Sequence, residues 1–385
     1  MRSIKHIRKA PIVEFLSSLK ISKDVISLGQ GVPFFSPPTE VIDRFKECVG
    51  ERSGYQYSED AGFLSVRKSI AEKIWVENHF NVDPIKNIIV TSGANQAFIN
   101  ALLAISEIGD EIVLFTPTYF NYVMAVQMVG CIPVLVPTND QFQPDISKLK
   151  SVFSDRTKAI VTISPNNPTG AVYKSDDLKN INELCAKNDL YHISDEVYEY
   201  FVYDGAVHVS PAQFDMNLDH TISLYSCSKA FGMSGYRIGF MITPEKLYDD
   251  MIKVQDTVGI CAPSCSQLAC KVAWTMGKGF VQDFFDELMN MRKYCFNKLT
   301  MMPDLDVVRT NGANYFFVRL STSLSSYEVT VRLAEEFDII VLPGEIFDVI
   351  YPSFRISYGN CSLNDLKTGM DRLEKGLRSI LDWKK

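Results

Sequence analysis

The chain has 385 residues, 46% of them hydrophobic, which is enough for a substantial core and for more than one domain. Its 39 basic and 46 acidic residues leave a formal charge of −7, with no basic block, so neither nucleic acid nor an anionic membrane surface is an expected partner. Residues 1–20 hold no continuous apolar stretch and do not read as a secretory signal; the most apolar later segment, 123–136, is broken by Gln127, Gly130 and Pro133 and is too short to span a bilayer. The nine cysteines are scattered without a CxxC pair, which predicts free thiols in a reducing cytoplasm. The five histidines are too dispersed to suggest a metal site, and none is expected.

Taken in chain order, residues 27–38 form a turn-rich entry, Ser-Leu-Gly-Gln-Gly-Val-Pro-Phe-Phe-Ser-Pro-Pro. From 85 to 240 the pattern alternates. Short β-branched runs at 87–91, 111–115, 132–136, 159–163, 190–194, 221–225 and 238–242 are separated by helical stretches. Runs that are apolar on both faces predict an α/β fold, a mainly parallel seven-stranded sheet covered on both sides. After about residue 290, helical stretches at 280–298 and 326–337 mix with short strands at 315–320 and 354–357. The expected division is an N-terminal arm with part of a small α+β domain at 1–45, a large domain at 46–290, and the rest of the small domain at 291–385.

In such sheets, ligands bind beyond the carboxyl ends of the strands, and the informative residues follow the predicted runs. Thr91-Ser-Gly93-Ala94-Asn95-Gln96 opens an apolar helix, whose N-terminal N–H groups and dipole suit a phosphate. Thr116-Pro-Thr-Tyr119, Ser164-Pro-Asn-Asn167-Pro-Thr-Gly170 and Ser194-Asp195-Glu-Val-Tyr198 follow the next runs. Taken singly, Asn167 reads as an Asn-Pro turn, Asp195 as a helix cap, and Tyr119 and Tyr198 as core tyrosines. The segment Ser226-Cys-Ser-Lys229-Ala-Phe-Gly-Met-Ser-Gly-Tyr-Arg237-Ile-Gly follows the run 221–225. Its small residues let a ligand approach Lys229, whose amine can form a Schiff base if burial or nearby cations lower its pKa. Arg237 can bind a phosphate bidentately, with Ser226 donating to the same group.

These segments, with Phe354-Arg355-Ile-Ser near the carboxyl end, resemble in identity and order the motifs of the class I/II aminotransferases. Those are fold-type I enzymes that depend on pyridoxal 5'-phosphate (PLP). The resemblance runs from about residue 26 to 371 and implies roles for each position. Lys229, Asp195 and Tyr198 are the catalytic residues it implies. Gly93, Ala94, Asn95, Ser226 and Arg237 take the phosphate, and Tyr119 stacks on the ring. Asp195 pairs with the pyridine nitrogen, while Asn167 and Tyr198 bond the 3'-oxygen. Arg355 grips the substrate α-carboxylate, with Gly31 and Asn167 on the substrate side. Tyr57, in Tyr-Gln-Tyr57-Ser-Glu-Asp-Ala-Gly62, reaches the phosphate of a neighbouring subunit, which implies a homodimer with shared sites. Two positions depart from the pattern: Phe34 stands where Asp is commoner, and Asp348 where Gly usually follows Phe347.

The implied reaction moves the α-amino group of an L-amino acid to a 2-oxo acid through a Lys229 Schiff base. The same constellation supports elimination, replacement or cyclisation as the alternative, because fold does not select among them. Phe15, Phe34, Tyr119 and Tyr315 suggest an aromatic-lined pocket. Glu14 and Asp256 suggest instead a cationic, arginine-like substrate.

Overall fold

The structure is a computed structural model and describes residues 4–382. All seven predicted runs become strands of one sheet: β2 (Ile88–Thr91), β3 (Glu111–Thr116), β4 (Ile132–Pro137), β5 (Thr157–Ile163), β6 (Tyr191–Asp195), β7 (Thr221–Ser226) and β8 (Gly239–Ile242), with β1 (Ile26–Ser27) lying outside it. Their order is β2-β8-β7-β6-β5-β3-β4, and β8 alone runs against the others. Both faces are buried except at the edge strand β4, where Ile132, Leu135 and Pro137 are exposed. In β2, Ile88 and Val90 join one apolar cluster while Ile89 joins the other, as the two-residue period of a strand requires.

This topology puts the carboxyl ends of β2, β3, β5, β6 and β7 along one edge. The antiparallel β8 begins at that same edge, where Gly239 pairs with both Thr91 and Ser226. The predicted start of this last strand at Ile238 moves to Gly239, because Arg237 is left-handed at φ 51° and breaks the extended backbone.

The second body of the fold is a four-stranded antiparallel sheet in the order β12-β13-β10-β9, built from β9 (Leu305–Val307), β10 (Tyr315–Leu320), β12 (Leu342–Pro343) and β13 (Ser353–Ser357). The helices Gly279–Thr300, Ser326–Phe337 and Leu363–Ile380 supply most of its apolar cover. β1 pairs in parallel with β11 (Ile339–Ile340), so the amino-terminal arm lies beside the carboxyl-terminal sheet. Helix α1 (Pro11–Ser18) starts on a proline, whose fixed φ suits a first helical turn, and buries Phe15. Among the described residues, no helix is long and apolar enough to cross a membrane.

One expectation is corrected. The cysteines are not all free thiols, because Cys227 and Cys270 are joined by a disulfide. Both are fully buried in the same apolar cluster, where the segment after β7 meets the helix Ser264–Met276, so residues 43 apart in sequence face each other.

Candidate active site

A cavity opens where the carboxyl edge of the large sheet faces β10, β13 and α1. Its walls carry Gly31, Ala94, Asn95, Tyr119, Asn167, Asp195, Tyr198, Ser226, Lys229, Arg237 and Arg355. Every site residue anticipated from sequence is therefore in one place, except Gly93, which sits one residue behind the wall, and Tyr57, which is 76% exposed and lies outside the cavity.

One wall is an anion cradle. Gly93 is the N-cap of α2 (Ala94–Ile105), with φ +86°. A Cβ there would stand 2.6 Å from Arg237 Nη2, so only glycine lets the guanidinium close on the helix end. Arg237 donates to the carbonyls of Ser234 (2.9 Å) and Ser92 (3.3 Å). Ser226 accepts from the Ser228 N–H at 3.1 Å and donates to the Ser228 hydroxyl at 2.9 Å. First-turn N–H groups, two serine hydroxyls and a guanidinium thus converge on one spot, which fits a phosphate.

Lys229 stands between this cradle and the opposite wall. The short helix α3 (Cys227–Ala230) directly after β7 turns its side chain inward, where Nζ donates to the Gly31 carbonyl at 2.8 Å. Burial, reinforced by Arg355 and Arg237, lowers its pKa to about 8, against the opposing pull of Asp195. Such an amine is neutral in an appreciable fraction near neutral pH, as a nucleophile must be.

Asp195 ends β6 and is buried. Its Oδ2 accepts from the Tyr122 hydroxyl at 2.7 Å and its Oδ1 from the Val197 N–H at 3.1 Å. Burial pushes its pKa up to about 6, opposed by those two hydrogen bonds and by Lys229, so at neutral pH it remains mostly an anion. The Tyr198 and Tyr315 hydroxyls share a bond of 2.6 Å. Tyr119 lies edge-on to Tyr122 at 5.3 Å and accepts from Asn121 at 2.7 Å.

The far wall holds Arg355, which is 2% exposed in the middle of β13. Nη1 donates to Asn167 Oδ1 at 2.7 Å and Nη2 to the Gly29 carbonyl at 2.5 Å, while Nε is buried without an acceptor. Tyr315 and Phe347 flank the guanidinium at 4.3 and 4.9 Å. Among the described residues no carboxylate pairs with it. A desolvated cation without a counter-charge is costly, and a substrate carboxylate would supply that charge.

The candidate specificity residues separate. Tyr119 and Tyr315 line the cavity, joined by Ile12 and Phe120. Phe15, on α1, is buried in an apolar cluster with Phe120 and Phe347, and Phe34 packs on Phe35 and Phe284. Glu14 and Asp256, the carboxylates anticipated for a cationic substrate, are exposed and do not line the cavity of their own chain. Sequence reasoning missed Tyr122, Ser228, Ser234 and Ile12. Tyr122 lies three residues past Tyr119, on the same helical face, a spacing that carried the signal. Ile12 had no local signal at all.

A cavity with an anion cradle, a buried near-neutral lysine and an unpaired guanidinium belongs to the enzymes that process amino acids on a phosphate-bearing carbonyl cofactor. Comparison narrows that class. Residues 23–373 match the family described as aminotransferase class I and II, and the chain belongs to it. An aspartate aminotransferase of Pyrococcus abyssi is 36% identical over 362 residues, covering 92% of each chain. Aromatic-amino-acid aminotransferase 2 of Thermococcus litoralis is 34% identical over 360 residues, again covering 92% of each. A crystal structure described as Pyrococcus protein-A1 superposes with a TM-score of 0.94 at 34% identity and covers 98% of both chains. The protein is a PLP-dependent aminotransferase acting on an amino acid and a 2-oxo acid, and nothing supports the elimination or cyclisation alternative.

Proposed function

We propose that this aminotransferase takes a neutral amino acid, aromatic or aliphatic, and that the residues named above divide the work as follows. PLP supplies an electron sink for the bond broken at the substrate α-carbon. Gly93, Ala94, Asn95, Ser226 and Arg237 hold its phosphate. Asp195, an anion at neutral pH, holds a proton on the ring nitrogen, and Tyr122 fixes the carboxylate in position. Asn167 and Tyr198 donate to the ring oxygen, and Tyr119 covers the ring face. Lys229 would hold the cofactor covalently at rest; once the substrate amine had replaced it there, the freed Lys229 amine would take the proton from the α-carbon as general base. Arg355 orients the α-carboxylate and fixes which α-bond faces Lys229. Gly31 keeps the wall beside Lys229 thin; a Cβ there would collide with the Tyr315 hydroxyl.

The observation that carries this reading is the position of Lys229, its pKa lowered to about 8 between an anion cradle and an unpaired arginine. Ile12, Phe120, Tyr119 and Tyr315 support the neutral side chain. We assign the cofactor-holding work to residues 46–290 and the gripping of substrate to 1–45 and 291–385. The exposed Tyr57 supports a homodimer in which this tyrosine completes the neighbour's cradle, and a cytoplasmic location is part of the same proposal.

The test is a panel of L-amino acids given to the PLP-loaded enzyme, followed by product analysis with and without a 2-oxo acid. Phenylalanine, tyrosine and leucine should convert to 2-oxo acids faster than aspartate or arginine, and beyond one equivalent per site only with an acceptor present. Turnover without an acceptor, or preference for a charged side chain, would overturn the proposal.

A further inference from the structure

Asp348, one of the two departures from the family pattern, lies outside the cavity. It ends the tight turn Gly344–Phe347 with a left-handed φ of 60°, a conformation glycine adopts without strain. Its carboxylate has a definite partner: Arg8 Nη2 donates to Oδ2 at 2.9 Å and to the Ile346 carbonyl at 3.3 Å. One guanidinium from the amino-terminal arm thus holds both a side chain and a backbone group of the turn. Both members of the pair are mostly shielded, with side-chain exposures of 31% and 16%.

The clamp joins two walls of the cavity. On one side, Phe347 precedes Asp348. Its ring flanks Arg355 at 4.9 Å, and its carbonyl accepts from the Thr118 N–H at 3.1 Å, next to Tyr119. On the other side, Arg8 lies just before α1, and Ile12 in the first turn of α1 lines the cavity. Phe15, one turn further along α1, is buried in the same apolar cluster as Phe120, Leu342, Ile346 and Phe347. The helix and the Arg355 wall are therefore packed together, and the ion pair fastens the end of α1 nearest the cavity.

We propose that Arg8 and Asp348 are positioning residues: their ion pair latches α1 to the turn beside Arg355, and so makes Ile12 a specificity-determining wall for the substrate side chain. The inference rests on the assignment of Arg355 and its surroundings to the substrate. The latch touches neither the reacting atoms nor the cofactor cradle. Its loss should weaken amino-acid binding and leave the chemical step nearly intact.

Asp348→Gly removes the carboxylate while keeping the left-handed backbone unstrained, Arg8→Ala removes the other partner, and Arg8→Lys keeps a charge of the same sign. In the PLP-loaded enzyme, the first two should raise KM for the preferred amino acid roughly tenfold, which corresponds to about 1.4 kcal/mol. The kcat should change less than about twofold, the absorbance of the bound cofactor should not move, and Arg8→Lys should fall between Arg8→Ala and wild type. Independently of turnover, amide hydrogen exchange in residues 8–18 should accelerate in Asp348→Gly. Unchanged KM and unchanged exchange in both Asp348→Gly and Arg8→Ala would overturn the latch, as would a fall in kcat at constant KM. If wild type failed to transaminate while the exchange difference persisted, the functional reading would fail, and not the latch.

Discussion

The two arginines that face the cavity are held in opposite ways. Arg237 is exposed, left-handed, and, among the described residues, bonded only to the carbonyls of Ser92 and Ser234, beside a helix N-terminus. Arg355 is 2% exposed, sits within a strand, and is enclosed by Tyr315 and Phe347. Arg237 keeps its hydration and shares its anion with backbone N–H groups, so its own contribution is modest and screened by salt. Arg355 has lost its water and relies on the arriving carboxylate, so its removal should cost far more. Under the roles proposed above, the cofactor side is a distributed grip, and the substrate side depends on one desolvated charge.

The sharpest way to break this comparison is to remove the group between the two walls. Lys229→Ala should lower kcat by at least about 10³-fold, the range of a lost general base, in a steady-state assay with saturating PLP. Next, Arg355→Ala should lower kcat/KM for the amino acid about 10²–10³-fold, as loss of a buried charge contact does, with PLP affinity unchanged in a fluorescence titration. Arg237→Ala should do the reverse. It should weaken PLP retention roughly tenfold, an effect that shrinks as salt is added, and leave the amino-acid KM nearly unchanged. Equal losses at the two arginines would show that burial does not decide their weight.

A pH experiment sharpens the same contrast. Below a pKa of about 8 the Lys229 amine of the PLP-free protein is increasingly protonated and cannot attack a carbonyl. The rate of PLP capture should therefore rise about tenfold per pH unit up to about pH 7.5 and level off above about pH 8.5. Because Arg355 is one of the cations lowering this pKa, Arg355→Ala should move the plateau to higher pH. A plateau that stays in place would mean that Arg355 does not help to set the amine. The smallest effect is expected from Tyr122→Phe, which removes one hydrogen bond from the buried Asp195 carboxylate and should cost about 1.5–3 kcal/mol of stability in thermal unfolding.

The cofactor side was legible in the sequence because its parts are local. Each strand end carries its own short motif; parallel pairing of β5, β6 and β7 brings Asn167, Asp195 and Lys229 to one edge, and the antiparallel β8 joins Gly93 to it. The substrate side is assembled from residues far apart in the chain. Arg355 was found only through its motif. Ile12 and the Arg8–Asp348 bond, 340 residues apart in sequence, left no periodic trace. Phe15 and Phe34 were chosen for residue type, and apolar type alone does not separate a cavity wall from the core behind it. The disulfide was missed for a related reason: cysteine count and spacing do not reveal that two buried side chains 43 residues apart converge.

Under the proposed function, one amine, on Lys229, holds PLP between these walls. Incubating the protein with PLP, reducing with borohydride and mapping the labelled peptide by mass spectrometry tests it directly. One pyridoxyl group per chain is expected, on Lys229, and none after Lys229→Ala. Label spread over surface lysines, or none at all, would contradict it.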